Sequence, residues 1–327
     1  MTQIPQAAQP QNDKLARFAG RNFSRFSLEQ SIHCLPVDET EEDNFNEVND
    51  IFRQLLGRAV LPRLRLSEID EPQVLECGFQ KAAWVDDILD ACPDAWVVGI
   101  DIFTGQGNGD DSSEEDEDED EDRPDFFIKK RWNLNASFRT SGDPDLRPET
   151  FHLINSRCLM DGINTGRWES YVRELRSLLK PGGWLQLVEV HMLFQSDSGR
   201  STTYLERWYD YYQSSLTRMG KDPRIGRQLQ RLLIDAGFEH ITNMVHRLPM
   251  GAWLEGKESL GFQARDLVSK LLRSASLWPF LRVQQPPLTP AQYEDLITGA
   301  QRELLQDNLK LYLNVYAAYG RRPNRRR

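Results

Sequence analysis

The stretch Gln73-Val74-Leu75-Glu76-Cys77-Gly78-Phe79-Gln80-Lys81-Ala82 reads as a short buried strand, a tight turn at Gly78 and the start of a helix. Residues 82–91 place Trp84, Ile88 and Leu89 on one helical face. A second strand, Ala95-Trp96-Val97-Val98-Gly99-Ile100, ends at Asp101, twenty-three residues after Gly78. In an open parallel sheet, ligands bind beyond the carboxyl ends of the strands, and a carboxylate roughly twenty residues past the glycine turn grips ribose hydroxyls. Asp101 has that spacing. Asp also simply closes strands, but the strand before it and the turn upstream favour the ribose reading.

Outward from this unit the alternation continues. Phe126-Phe127-Ile128 and Phe151-His152-Leu153-Ile154-Asn155 read as strands. Residues 168–179 repeat apolar positions at helical spacing until Lys180-Pro181-Gly182-Gly183, and Trp184-Leu185-Gln186-Leu187-Val188-Glu189-Val190 is the next strand. Such alternation predicts an α/β fold with a mainly parallel sheet and helices on both faces. Upstream, Phe52, Leu55, Leu56 and Val60 predict a helix that begins near Phe45 and is interrupted at Pro62. Downstream, residues 200–235 and 291–309 read as helical, and 238–248 and 311–319 as strands. The expected organisation is a partly disordered extension over 1–44, one large domain over 45–323 with helical lid elements at 200–235 and 255–309, and a basic tail at 321–327. No internal repeat is present.

The 327 residues, 39% hydrophobic and 10% aromatic, suffice for a sizeable core. Residues 110–122 hold eleven acidic side chains; removing them from the net charge of −10 leaves +1, so overall acidity says little about partners. This run repels itself and is expected to be a solvated insertion. The tail Arg321-Arg322-Pro323-Asn324-Arg325-Arg326-Arg327 suits a nuclear signal or a plain solvated end, and nothing else supports nucleic-acid recognition. Four scattered cysteines without a CxxC pair give zinc no support. The polar N-terminus and the lack of any apolar run of about 18 residues predict a soluble chain without signal peptide or membrane span, in a reducing intracellular setting.

Taken in order, Val74-Leu75-Glu76-Cys77-Gly78, Val97-Val98-Gly99-Ile100-Asp101, Phe151-His152-Leu153-Ile154-Asn155-Ser156-Arg157-Cys158-Leu159 and Leu178-Leu179-Lys180-Pro181-Gly182-Gly183-Trp184-Leu185-Gln186-Leu187-Val188-Glu189 resemble the fungal LaeA-like S-adenosylmethionine-dependent methyltransferases. Ala236-Gly237-Phe238, Leu248-Pro249-Met250-Gly251-Ala252-Trp253 and Tyr316-Ala317-Ala318-Tyr319-Gly320-Arg321-Arg322-Pro323 extend the likeness over about 45–323. The resemblance implies a class I methyltransferase (Rossmann-like) sheet of seven strands with the last antiparallel. It implies S-adenosylmethionine as cofactor, held by Glu76, Gly78, the Gln80 position, Asp101, Asn155 and Ser156. It also implies a small-molecule acceptor, a secondary metabolite, with a protein partner as the regulatory alternative.

One departure stands out. Where the family carries acidic-x-Gly-x-Gly-x-Gly, this chain has Gln80 and Ala82 at the second and third glycines. Glycine lets backbone approach a ligand closely and adopt positive φ. Ala82 is a small change, whereas Gln80 adds a long polar side chain and Lys81 a charge beside it. Either Gln80 swings aside, or the pocket is filled and the scaffold serves a cofactor-independent cyclisation or a regulatory complex. For the chemistry itself, methyl transfer needs alignment and at most a base. His191 and Glu189 are weak catalytic candidates. Tyr204, Trp208, Tyr211 and Tyr212 are candidates for an aromatic substrate pocket, although at helical spacing such residues are more often core.

Overall fold

The computed structural model describes residues 8–10, 14–105 and 126–325; the acidic run 110–122 and the last two arginines lie outside them. A hairpin opens the fold, β1 (Leu15–Phe18) and β2 (Arg21–Ser24), followed by the short α1 (Arg25–Glu29) and by α2 (Glu39–Leu56). Then come β3 (Gln73–Cys77), α3 (Ala83–Ala91), β4 (Trp96–Asp101), β5 (Phe127–Arg131) and β6 (Phe151–Arg157). They are followed by α4 (Trp168–Leu178), β7 (Leu179–Ser196), α5 (Tyr204–Arg218), α6 (Leu229–Asp235) and β8 (Glu239–Pro249). The chain closes with α7 (Glu258–Trp278), α8 (Pro290–Leu304) and β9 (Leu311–Arg321).

Seven strands form one sheet in the order β5-β4-β3-β6-β7-β9-β8. The pairs from β5 to β7 are parallel, and β9 runs antiparallel to both its neighbours. This is the seven-stranded, antiparallel-last arrangement expected from the sequence. Strand order reverses between β3 and β6, which opens a crevice at their carboxyl ends. The central strands are almost wholly buried, as a sheet covered on both faces requires. Trp84, Val85 and Ile88 of α3 cover one part of it, and Trp168, Tyr171 and Leu175 of α4 another.

Three boundaries differ from expectation. Helix α2 starts at Glu39, six residues before Phe45, because Asp38 caps it and Glu41, fully buried, bonds Ser274 at 2.9 Å. It ends at Gly57, left-handed at φ 78°, and not near Pro62, so Val60 lies outside it. The N-terminal region is also ordered within its described part. Phe23 is fully buried, and Phe18 packs edge-on against Trp278 at 5.1 Å between ring centroids. A few aromatics in a polar stretch gave no periodic signal. At the other end β9 runs through Arg321, and Arg322 donates to the carbonyls of Arg176 and Ser177 at the end of α4 while pairing with Glu149 at 2.7 Å. The free tail therefore starts later than residue 321.

Candidate functional site

Two adjoining cavities occupy the crevice, of about 60 Å³ beside Asp101 and about 130 Å³ beneath α2 and α7. Gly78, Gln80, Cys158 and Asp161 line both, so they form the neck between them. Gly78 holds φ 76°, and a Cβ there would come within 2.6 Å of Leu159. Turn geometry and close packing both require glycine at this position. The two positions where the resemblance expects glycine are left-handed as well: Gln80 has φ 52° and Ala82 φ 67°. Both positions therefore carry a side chain in a backbone conformation that favours glycine. Lys81 turns away and pairs with Glu42 of α2 at 2.9 Å.

Asp101 ends β4 as the spacing predicts. Its Oδ2 accepts the Gln80 N–H at 3.0 Å, and its Oδ1 accepts the Ile102 N–H at 2.6 Å. Burial pushes this carboxyl above its ordinary value, while those N–H groups and His33 pull the other way. Oδ1 also accepts the Phe103 N–H at 3.4 Å; a carboxylate offers about four acceptor directions, so one remains. Trp132 forms part of the same wall, and its buried indole N–H has no partner among the described residues. The wall of the small cavity thus includes a carboxylate with a spare acceptor direction and a tryptophan whose buried N–H is unpaired.

The N-terminal segment contributes Ile32 and His33 to this cavity. His33 Nδ1 lies 3.2 Å from Asp161 Oδ2 in the loop after β6. Burial disfavours the imidazolium, but Asp161, helped by Asp101 and Glu41, outweighs it and raises the pKa. Behind the same loop, buried Lys221 donates to the Gly162 carbonyl at 3.0 Å and to Asn164 Oδ1 at 2.7 Å. Burial lowers its pKa to about 8 against the pull of Asp161. His33, Trp132, Asp161 and Lys221 carry no sequence motif, because packing of distant segments brings them here. Only the turn at Gly78 and Gln80 and the spacing from it to Asp101 pointed toward this place.

The remaining expected residues divide. Glu189 of β7 lines the larger cavity and accepts the Leu159 and Met160 N–H groups at 3.0 and 3.1 Å; burial pushes its pKa up to about 8. Glu76 and Asn155 stand opposite each other on β3 and β6. They belong to a buried ladder in which Asn155 Nδ2 donates to Glu76 at 2.6 Å and Gln186 Nε2 donates to Asn155 Oδ1 at 2.7 Å. Gln186 in turn accepts the Leu61 N–H at 2.9 Å. Neither Glu76 nor Asn155 lines the two cavities. Ser156 is fully buried and accepts the Tyr171 hydroxyl at 3.1 Å. His191 bonds Tyr209 at 2.7 Å, lines neither cavity and is held near pKa 4 by burial with Arg227 and Arg224 nearby.

Of the aromatic group, Tyr212 alone reaches the larger cavity. Trp208 is fully buried, stacks on Tyr212 at 4.7 Å and donates to the Leu272 carbonyl at 3.0 Å. The Tyr204 ring packs on Gly299, where a Cβ would come within 2.1 Å of it. Tyr211 meets Phe280 edge-on at 5.8 Å. These three hold α5 against its neighbours, and within the lid elements expected at 200–235 and 255–309 the cavity wall is supplied mainly by α7. Among the described residues there is no cluster of three or more His, Cys, Asp or Glu side chains fit to hold a metal, and no helix is long and apolar enough to cross a membrane.

No family model matches the chain. Known proteins do. The N-methyltransferase sirN of Leptosphaeria maculans is 24% identical over 304 residues, covering 90% of this chain and 96% of its own. The secondary metabolism regulator LAE1 of Cochliobolus heterostrophus is 23% identical over 90% of this chain and 91% of its own. The protein-methionine methyltransferase laeA of Emericella nidulans is 25% identical over 94% and 76%. Among solved structures, the phosphoethanolamine N-methyltransferase 2 of Haemonchus contortus in complex with S-adenosyl-L-methionine gives a TM-score of 0.47 at 12% identity, covering 86% of this chain. This chain spans about half of that protein, 53%. The cyclopropane synthase MmaA2 of Mycobacterium tuberculosis gives a TM-score of 0.46 at 16% identity, covering 83% of each chain. The sheet order β5-β4-β3-β6-β7-β9-β8 with β9 antiparallel is that of the class I methyltransferase fold, and the chain is similar in sequence to fungal LaeA-like regulators and methyltransferases.

Proposed function

We propose that this protein binds S-adenosylmethionine in the crevice at β3 and β6 and methylates a small molecule of fungal secondary metabolism. The observation that carries the reading is the left-handed backbone at Gly78, Gln80 and Ala82, whose Gln80 N–H meets the carboxylate at the end of β4. The cavity residues fit the cofactor's polar groups. Asp101 has acceptor capacity for ribose hydroxyls, and the unpaired Trp132 N–H offers a donor beside it. Once bound, the cofactor supplies a methyl group already activated on sulfur. The chain's own residues have simpler tasks. Asp101 holds the ribose end, and His33 and Asp161 fasten the N-terminal segment over the small cavity. Glu189 fixes the loop after β6 through two N–H bonds.

Gln80 supports a second reading, because its side chain lines both cavities at their neck. If it stays there, the fold acts without cofactor, as a cyclase-like scaffold or as a regulatory partner of another protein. Calorimetric titration with S-adenosylmethionine separates the two. The methyltransferase reading expects saturable micromolar binding, weakened at least tenfold in Asp101→Asn, a loss of about 1.4 kcal/mol. No binding by the parent protein, combined with restored binding in Gln80→Gly, supports the second reading instead.

A further inference from the structure

Residues 33–36 form a short span between two fixed points. Ile32 donates its N–H to the Ser27 carbonyl of α1 at 2.8 Å, and Val37 donates to the Asn22 carbonyl of β2 at 2.8 Å. Between these anchors, two side-chain contacts among the described residues are polar. His33 Nδ1 lies 3.2 Å from Asp161 Oδ2, and Cys34 Sγ lies 3.8 Å from Met219 Sδ. A thiol is a weak donor, so the first contact is the strong one. The segment also runs along both cavities: Ile32 and His33 line the small one, and Leu35 lines the larger. Asp161 lines both. The His33–Asp161 pair therefore ties the span to the neck where the cavities meet.

Charge sets how firmly this tie holds, because a hydrogen bond between ionised partners is roughly twice as strong as one between neutral partners. Burial disfavours the His33 imidazolium, but Asp161 from the loop after β6, Asp101 from the end of β4 and Glu41 from α2 outweigh it and raise the pKa above the ordinary 6.5. Asp161 shifts the other way: burial is outweighed by His33 and Lys221, and its pKa falls. Asp161 thus stays ionised while His33 changes charge above pH 6.5. Two further groups face the loop that carries Asp161. Burial brings both Lys221 and Glu189 to about 8, so their titration has to be separated from that of His33. Burial pushes the Cys34 thiol up and keeps it protonated.

We propose that the His33–Asp161 pair is a proton-controlled clasp on the crevice. With His33 charged, the span 33–36 is held shut along both cavities; with His33 neutral, it opens readily and lets an occupant exchange. The anchors at Ile32 and Val37 confine the motion to these four residues. If the packing of buried Cys34 and Pro36 alone held the span, the charge of His33 would not matter. That the occupant is S-adenosylmethionine rests on the cofactor reading above, whereas the clasp itself does not.

Cys34 reports opening directly, because it sits in the span and is 5% exposed. The full-length protein is labelled with iodoacetamide, and the Cys34 peptide is quantified by mass spectrometry. The comparison is His33→Gln, whose amide can donate to Asp161 at any pH without carrying charge. The ratio of parent to variant labelling at each pH cancels the response of thiol chemistry, Lys221 and Glu189. From pH 5.5 to 8.0 that ratio should rise by about threefold or more; a smaller rise overturns the proposal. Asp161→Asn keeps the test open if His33→Gln does not fold. It should label about threefold or more faster than the parent at pH 5.5, and equal labelling there overturns the clasp. Stopped-flow release of S-adenosylhomocysteine separates the two claims. Release that quickens with labelling in the parent, but not in His33→Gln, supports both. A rising labelling ratio without any binding of S-adenosylhomocysteine removes the cofactor reading and leaves the clasp. Binding with a flat labelling ratio removes the clasp and leaves the cofactor reading.

Discussion

Gln80 and Ala82 hold φ values of 52° and 67°, a region that costs a residue with a side chain about 1–2 kcal/mol. Replacing Gln80 by glycine should therefore stabilise the fold by about 1 kcal/mol, read as a higher urea midpoint. Ala82→Gly should be nearly neutral, because Ala82 is 1% exposed and its lost buried methyl, about 0.8 kcal/mol, offsets the relief of strain. A lower midpoint for Gln80→Gly would show that its side chain is held by contacts worth more than the backbone strain. Titration makes a second test at this scale. Burial pushes Glu76 and Glu189 up to about 8 from 4.5, so the folded chain keeps protons that the unfolded chain has released. Their contribution is fully present below about pH 4.5 and is lost as pH rises through 8. His191 and His152, held near 4 from 6.5 chiefly by burial, act in the opposite sense, but only below about 6.5. Between pH 6.5 and 8 the carboxyls act together with His33, whose raised pKa works in the same sense, and stability should fall by up to about 1.4 kcal/mol per pH unit for each carboxyl. Denaturant midpoints across that window check the sign, and Glu189→Gln should flatten the slope. Gly78 and Asp101 were legible in the sequence because a fixed spacing ties them to strand ends. His33 and Trp132 were not, since no local pattern records which distant segment will fold over a cavity.

Between elements, the ladder Glu76–Asn155–Gln186 joins β3, β6 and β7 and secures the segment after α2 through Leu61. All three side chains are at most 2% exposed. Asn155→Ala would leave the Glu76 carboxyl with only Arg157, at 3.8 Å, and the Gln186 amide with one partner fewer, and should destabilise the protein by about 1–3 kcal/mol. A midpoint change below about 0.5 kcal/mol would mean that water or rearrangement replaces the ladder. The family likeness assigned Glu76 and Asn155 to the cofactor, whereas here they bond each other and line neither cavity. The strands themselves were legible from continuous apolar runs, and the helix of Trp208 from its spacing. The face that each aromatic presents was less so. Residues 204–212 place five rings, Tyr204, Trp208, Tyr209, Tyr211 and Tyr212, within two or so turns, and only packing against α7 and α8 decides that Tyr212 alone reaches the cavity.

Across the whole molecule, the sheet order puts the turn after β3, the end of β4 and the loop after β6 at one crevice, from segments up to eighty residues apart in sequence. That convergence follows from the alternation of strands and helices, which made the architecture readable in advance. The cover over the crevice did not follow from it, because the N-terminal segment and α7 join it only through tertiary packing. The central claim is that the loop, despite Gln80 and Ala82, still serves a cofactor. A crystal structure of the protein with S-adenosylhomocysteine tests this most directly. The account predicts ligand density in the crevice, its ribose oxygens within hydrogen-bond distance of Asp101 and the Gln80 side chain turned out of the neck. A crevice without ligand at saturating concentration, with Gln80 lying across the neck, would contradict it.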